Sequence, residues 1–577
     1  MTAELGAAAK RWHVQPEPPD APAGDWPPLV GRLLALRGVT DAADARAFLG
    51  VDGTPALPAL ERSAGSGAEG AAQTLVLPDL DLAVERLARA CRAGERVAVF
   101  GDFDVDGITS CALLTEGLRD LGAKPAAYLP HRVDEGYGLN AEAVGALAGA
   151  GATLLVTADC GTSSVREIAL ARERGMDAIV LDHHTVPPLL PAAIVVNPKR
   201  EEGPVDEPAA CGIAYHVLIA LYEALGRPVD EARLIELAAL GTVCDLAPLT
   251  GSNRTLVRDG LIALARTERP GLRALIEVAG ADPRRIDTET LGFALGPRLN
   301  AAGRLAHARL AYDLLVCDDE DDARALAAEL DALNRQRRRA TEDAFALAEE
   351  LVAEEGEPPL IMVGHEDFPM GIVGLVASRL VESRRRPAVV YQRGADESRA
   401  SARSIREFDV TAALRTRPEL FVRFGGHRMA AGFTAENEQL PAIKETLLAR
   451  AEEQLAGLDL TPSIEIDAEL PLAELRGDEI RWLARLAPHG IGNPEPAFLS
   501  RNVLVVERRA VGADGSHLKL KLKDGAVSWP AIAFRQEGAG IEEGTRADIV
   551  YALSADRLSR DALQLRVIDL RAAGGNR

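Results

Sequence analysis

Between residues 81 and 181 the chain alternates between helical stretches and short apolar runs. The helical stretch 81–93 leads to RVAVF, the helix predicted from 108 to PAAYL, that from 140 to ATLLVTA, and that from 164 to DAIVL. Runs of this length read as strands buried on both faces, and their alternation with helices predicts an α/β fold with a parallel, doubly wound sheet. Such a sheet also dictates where chemistry can sit, because the loops leaving the carboxyl ends of its strands share one rim.

That rim is acidic. VFGDFDVDG puts Asp102, Asp104 and Asp106 after the first strand, TADCG puts Asp159 after the third, and LDHH puts Asp182, His183 and His184 after the fourth. Asp245, in GTVCDLAPL, follows a helical stretch and precedes a proline, which predicts an ordered turn. The DxDxDG pattern resembles a calcium loop, but such a loop needs a bidentate glutamate at its twelfth position, here Leu113. Singly, each carboxylate reads as a helix cap and the histidines as ordinary polar residues. As a set on one rim they would repel one another and raise their pKa values unless cations offset the charge. Oxygen donors with one or two imidazoles favour manganese or magnesium over zinc, and two such ions suit hydrolysis of a phosphoester.

A length of 577 residues implies two to four domains. Stretches 14–30 and 52–78, rich in Pro, Gly, Ala and Ser, bracket one helical segment, so residues 1–80 read as a loosely packed extension. The α/β catalytic segment spans 81–315. Leu326, Leu330, Leu333, Ala340, Ala344, Leu347 and Leu351 recur at helical steps and predict a connector helix within 316–355. A second α/β segment follows over 356–455, and short strands over 456–577 suit a small barrel.

Six cysteines stand singly, which suits a reducing, cytoplasmic location and disfavours structural zinc. No apolar run of 18 residues offers a membrane span. The net charge of −22 repels polyanions, so a nucleic-acid partner requires metal ions or a local basic groove. Residues 398–432 supply one, with seven arginines against three acidic residues. Arg335, Arg337, Arg338 and Arg339 form a second basic cluster on the connector.

In order, GDFDVDG, TADCG, LDHH and GTVCD resemble the motifs of the DHH phosphoesterases. GPRLNAAGRL, HEDFPMGIVGLVASRL, SARS, FGGHRMAAG and LAPHGIGNPEPAF resemble the members of that family that degrade single-stranded DNA, and the likeness runs from about residue 30 onward. The resemblance implies a DHH-type parallel-sheet domain, a long helix, a DHHA1-type α/β domain and a C-terminal OB-like barrel. It implies that Asp104, Asp106, Asp159, His183, His184 and Asp245 ligate two Mn2+ or Mg2+ ions, with Asp102 supporting them from behind. Asp102, His184, Arg298, Asn300 and Arg304 become the catalytic set, the last three facing the metals and the scissile phosphate. Arg132 and Tyr137 fall where the terminal nucleotide binds, Ser401 and Arg403 where a 5′ phosphate is held, and Gly425, Gly426 and His427 where the backbone is gripped.

The implied activity is 5′ to 3′ hydrolysis of single-stranded DNA to mononucleotides in repair and recombination. Its implied partner is single-stranded DNA, with a helicase and a single-strand-binding protein as companions of a monomeric enzyme. The competing readings are a DHH enzyme acting on short RNA or cyclic dinucleotides, and a non-catalytic single-strand binder. One departure stands out: Phe368 and Pro369 occupy places where many relatives carry a Trp-His pair. His131, beside Arg132, receives no role.

Overall fold

The structure, a computed structural model, describes residues 10–51, 75–201, 206–356, 358–512, 515–536, 540–555 and 563–574. The second Pro- and Gly-rich stretch expected over 52–78 lies, as far as residue 74, outside the described residues. Among the described residues, no helix is long and apolar enough to cross a membrane.

The catalytic sheet has five parallel strands in the order Lys124–Tyr128, Arg96–Gly101, Leu154–Ala158, Asp177–Leu181 and Ile194–Val196. Leu154–Ala158 is buried throughout, as its unbroken apolar run requires. In chain order the strands lie second, first, third, fourth, fifth. The crossovers therefore diverge between the first and third strands, opening a crevice at their carboxyl ends. Asp102, Asp104 and Asp106 leave one side of that crevice and Asp159 the other.

The helix Val105–Asp120 begins three residues before the position that periodicity predicts, because the Asp104 carboxylate accepts from the N–H groups of Asp106 and Gly107 and caps it. It is buried nearly all round, packed against helices Ala210–Ala224 and Glu231–Cys244. The connector helix Glu320–Glu355 is capped by Asp319, which accepts from Asp321 and Asp322. Its 36 residues reach about 54 Å. Ala323, Ala327 and Leu330 join the catalytic core, whereas Ala344, Ala348 and Val352 join that of the next domain. A helix rooted in two cores is a rigid spacer.

The second domain holds a mixed sheet in the order Arg423–His427, Ala430–Glu436, Glu397–Arg403, Ala388–Arg393 and Ile361–His365, with only the last pair parallel. Further on, strands Phe498–Val511, His517–Asp524, Val527–Ala533, Leu563–Ala572 and Arg546–Ala555 close into a barrel when the first pairs with the last. HLKLKLKD alternates strictly: Leu518, Leu520 and Leu522 point inward, and Lys519, Lys521 and Lys523 outward.

The N-terminal segment departs from the loosely packed extension expected of residues 1–80. Strand Arg11–Val14 pairs in parallel with Ser463–Ile466. Helices Pro28–Leu36 and Ala42–Leu49 bury Val30, Leu33, Leu34 and Ala45 in one core with Leu483, Leu486 and Phe498. Trp26 meets Trp482 edge-on at 6.3 Å. The segment completes the C-terminal module, because a small barrel alone leaves this apolar flank uncovered.

Candidate metal centre and nucleic-acid cleft

The first strand can deliver three aspartates into one crevice because of Gly107. A Cβ there would lie 2.4 Å from the Asp102 main chain, so only glycine lets the helix start settle onto the strand end. Asp106, 1 % exposed, turns back and accepts from the main-chain N–H groups of Ala210 and Cys211 at 2.7 and 2.8 Å. Opposite, Asp159 sits in the left-handed region at φ 63°, a conformation that aspartate tolerates better than most residues. Asp245 caps the end of Glu231–Cys244, and Leu246 at φ 63° reverses the chain, giving the expected ordered turn.

These side chains form three overlapping clusters whose ligand atoms lie within 4.8 Å of one another: Asp102, Asp104 and Asp159; Asp159, His183 and His184; Asp106, His183 and Asp245. Asp159 and His183 each belong to two. His183 Nε2 lies 3.2 Å from Asp159 and 3.9 Å from Asp106, while its Nδ1 lies 3.7 Å from Asp245.

The electrostatics are those of anions crowded out of water. Burial and the Asp104 charge hold Asp102 well above the usual carboxylate range, and burial with Asp104 and Asp106 does the same to Asp159. Burial, then Asp104, raises Asp106 to about 6, and burial with Asp106 and Asp104 pushes Asp245 up to about 9. Burial and the neighbouring His184 push His183 down to about 4, leaving it neutral and fit to ligate. Asp102 Oδ1 is buried without a hydrogen-bond partner among the described residues. Hard oxygen donors, neutral imidazole and an orphaned carboxylate oxygen fit divalent cations of the manganese and magnesium type.

Asp182 supports the site from behind the histidines. Asp182 accepts from the N–H groups of Thr162 and His183 at 3.0 and 2.8 Å and from His184 Nδ1 at 2.7 Å. Burial would raise this carboxyl, but the His184 and Thr162 hydrogen bonds overcome it and hold it below the usual range. A carboxylate fixing one ring nitrogen leaves the other for ligation. Its place in LDHH was the available signal, and Asp182 was absent from the expected site set.

Across the cleft the second domain adds cations. Arg403 donates to Ser401 Oγ at 3.0 Å, and its charge is disfavoured first by burial and then by Arg132 of the catalytic domain. Arg132 stacks 3.9 Å over the Phe103 ring, held by the field of Asp102 and Asp104. Burial, followed by Arg132, Arg337 and Arg403, pushes Arg304 down to about 9, still protonated at neutral pH. A Cβ on Gly371 would lie 2.0 Å from the Arg304 carbonyl, so this glycine lets the two domains touch there. Arg304 donates to the Gly371 carbonyl at 3.2 Å, and Arg399 to that of Val133 at 3.0 Å. Arg337 joins the group from the connector helix, and its Nε finds no partner among the described residues. Four guanidiniums gathered at a domain junction call for a polyanion.

Other expected residues vary. Tyr137 reaches the Asp159 carbonyl at 3.1 Å and His184 at 3.2 Å, and His427 lies nearly parallel to His184 with ring centres 6.4 Å apart. Gly425 and Gly426 stand on the exposed edge strand that carries His427. Asn300 keeps a buried Oδ1 without a hydrogen-bond partner among the described residues. Arg298, expected to face the metals, is instead committed to Asp331 of the connector at 3.0 Å and to the carbonyls of Ala294 and Val278. It therefore ties two helices together. Phe368 is core, 1 % exposed, and His131 pairs with Asp134 at 2.8 Å.

Residues 96–242 match the DHH family N-terminal domain, and residues 356–453 match the DHHA1 domain. With the acidic, imidazole-bearing rim, this places the catalytic half in the DHH class. Residues 466–569 match the RecJ OB domain. The single-stranded-DNA-specific exonuclease RecJ of Escherichia coli is 36% identical over 550 residues, covering 91% of each chain. RecJ of Thermus thermophilus has been solved with Mn2+ and with Mg2+. The manganese complex superposes with a TM-score of 0.81 at 31% identity, covering 98% of this chain and 81% of that one, and the magnesium complex with 0.75 at 30%, covering 97% and 78%. The chain belongs to the RecJ family.

Proposed function

We propose that this protein hydrolyses single-stranded DNA from its 5′ end to mononucleotides, with two Mn2+ or Mg2+ ions, in repair and recombination. The observation that carries the reading is the meeting, at one domain junction, of three overlapping ligand clusters with four half-buried guanidiniums. Asp104, Asp106, Asp159, His183, His184 and Asp245 would hold the cations, and Asp102 joins them through its free oxygen. When bound, such ions lower the pKa of water and stabilise charge on phosphoryl oxygens.

The chain's own groups do the rest. Arg304 offers donors to the developing phosphoryl charge, and Asn300 helps place the scissile group. Arg132 and Arg403, drawn from opposite domains, form with Ser401 a pocket for the terminal phosphate, so the 5′ end is the one captured. Tyr137 orders the first nucleotide against His184, and Gly425, Gly426 and His427 grip the backbone. On the barrel's outer face Lys519 and Lys523, with Lys521 beside Glu507 at 3.1 Å, would offer further phosphate contacts. A monomer acting in the cytoplasm suffices, with helicases and single-strand-binding proteins as companions that expose its substrate.

Digestion of an oligonucleotide labelled at either end tests this, with Mn2+, Mg2+ or chelator. We expect metal-dependent release beginning at the 5′ label and no turnover by Asp159→Ala. Release beginning at the 3′ label, or activity under chelation, would overturn it. Binding without turnover would favour a non-catalytic strand binder.

A further inference from the structure

Arg254, on the helix Gly251–Leu264 of the catalytic domain, is 5 % exposed and far along the chain from every ligand cluster except that of Asp245. Its guanidinium donates to five main-chain carbonyls. Nη1 reaches Leu486 and Pro488 at 2.9 and 3.1 Å, and Nη2 reaches Ala487, Arg485 and Phe48 at 2.8, 3.1 and 3.3 Å. The same group stacks 3.8 Å over the Phe48 ring. The Arg485 carbonyl caps the helix Asp478–Ala484 and that of Phe48 lies in the last turn of Ala42–Leu49, while the other three belong to the loop that follows Arg485. No carboxylate is among its partners in the described residues.

The surrounding contacts make this a joint. Asn493 Nδ2 donates to the Leu486 and Pro488 carbonyls at 2.9 and 2.7 Å, and Asn493 Oδ1 accepts from Arg37 at 2.8 Å. Leu249 N–H donates to the Ile491 carbonyl at 2.6 Å, and Thr288 Oγ1 to that of His489 at 2.7 Å. Leu249 lies only four residues beyond Asp245. The loop 485–493 thus touches the catalytic domain, the N-terminal helices and the barrel module together. Nη1 and Nη2 together spread four N–H groups over these carbonyls, whereas an ammonium offers three from a single point.

We propose that Arg254 is a positioning residue which locks the barrel module to the catalytic rim, so that a strand leaving the cleft meets the lysine face in register. This rests on the exonuclease reading above. A substrate too short to leave the cleft does not sense the lock, whereas a long one depends on it for its second set of contacts. Two linked sites held in fixed geometry gain affinity that loosening removes.

The test compares the full chain with Arg254→Gln and Arg254→Lys, in Mn2+, on a 5′-phosphorylated trinucleotide and on a strand of roughly 40 nucleotides, longer than a barrel footprint. For Arg254→Gln we expect KM on the long strand to rise roughly ten-fold with kcat little changed, and both constants on the trinucleotide to hold. Arg254→Lys falls between. Small-angle scattering of the chelated protein should show a larger maximum dimension for Arg254→Gln than for wild type. Equal KM rises on both substrates, or unchanged scattering and kinetics, would overturn the proposal. Should Arg254→Gln not fold, Asn493→Ser and Arg37→Gln weaken the same loop and should give a smaller split of the same sign; a trinucleotide effect in either refutes it. A wild-type protein that degrades neither strand refutes the exonuclease reading, while the scattering comparison still judges the joint.

Discussion

Asp245→Asn isolates the electrostatic strain of the metal-free centre. Burial, with Asp106 and Asp104 beside it, raises this carboxyl from 3.8 to about 9. In the folded, metal-free protein it therefore holds a proton at pH 7 that the unfolded chain releases. Stability from this group is full below about 3.8 and falls as pH rises toward 9. At 1.36 kcal/mol per unit, the cost at pH 7 is about 4 kcal/mol. That is an upper figure, because Asp106 and Asp159 share the same repulsion. Asparagine keeps the shape and removes the charge. For a catalytic domain of this size, the change corresponds to an upshift of roughly 5–15 °C in the unfolding midpoint of the chelated protein. Thermal melts of both proteins in chelator from about pH 4.5 to 8.5 measure it. The difference should shrink toward acid and widen toward base, and the stabilisation that Mn2+ gives wild type should be smaller in the variant. A variant no more stable than wild type at about pH 8, or a gap independent of pH, would refute the claim that anion crowding dominates this centre.

Two further outcomes follow from particular groups. Arg403→Gln removes a forked donor from the pocket shared with Arg132 and Ser401; KM on a 5′-phosphorylated strand should rise roughly ten-fold or more, with little change on a 5′-hydroxyl strand, and equal effects would exclude an end-phosphate role. Burial pushes His216 down to about 4, so the unfolded chain gains a proton below about 6.5 that the folded one refuses; stability should fall by about 2 kcal/mol between about pH 7.5 and 5, and His216→Asn should abolish that part of the acid-side slope in denaturant titrations.

Three of the five catalytic strands were legible because a doubly buried strand must be a continuous apolar run, and no polar residue interrupts 97–100 or 154–156; the edge strand Lys124–Tyr128, partly exposed, was legible from its place between two helices. Ile194–Val196 escaped notice because three residues carry no periodicity. The start of Val105–Asp120 was misplaced because its first turn is aspartate-rich, and a capping aspartate reads as loop until its acceptor geometry is seen. The acidic rim was legible from residue type and strand-end position, which sequence preserves, while the choice of ligands within it came from the resemblance to the DHH phosphoesterases. The part Asp182 plays in holding His184 was not legible, because it depends on which carboxylate oxygen faces a donor. Arg298 failed for a similar reason: an arginine in a motif is equally suited to a phosphate and to Asp331, and packing decides. The barrel lysines were visible as HLKLKLKD, but their common face acquires meaning only once the barrel closes. Of the barrel aromatics, Phe498 and Tyr551 are core, and Phe534, 52 % exposed, remains open to stacking.

The pairing of Arg11–Val14 with Ser463–Ile466 bears on how the molecule is made. On a ribosome adding about 5–20 residues per second, the first helices emerge long before their partners, some 450 residues later in the chain. Leu33, Leu34 and Trp26 therefore wait roughly 20–90 s with their apolar faces uncovered, while the catalytic sheet has everything it needs to form. The pairing is a clasp that closes over a domain already built. An ageing or heat-stressed cell would then meet the unclasped intermediate, with its free strand edge and bare leucines, as the form most exposed to chaperones and proteases.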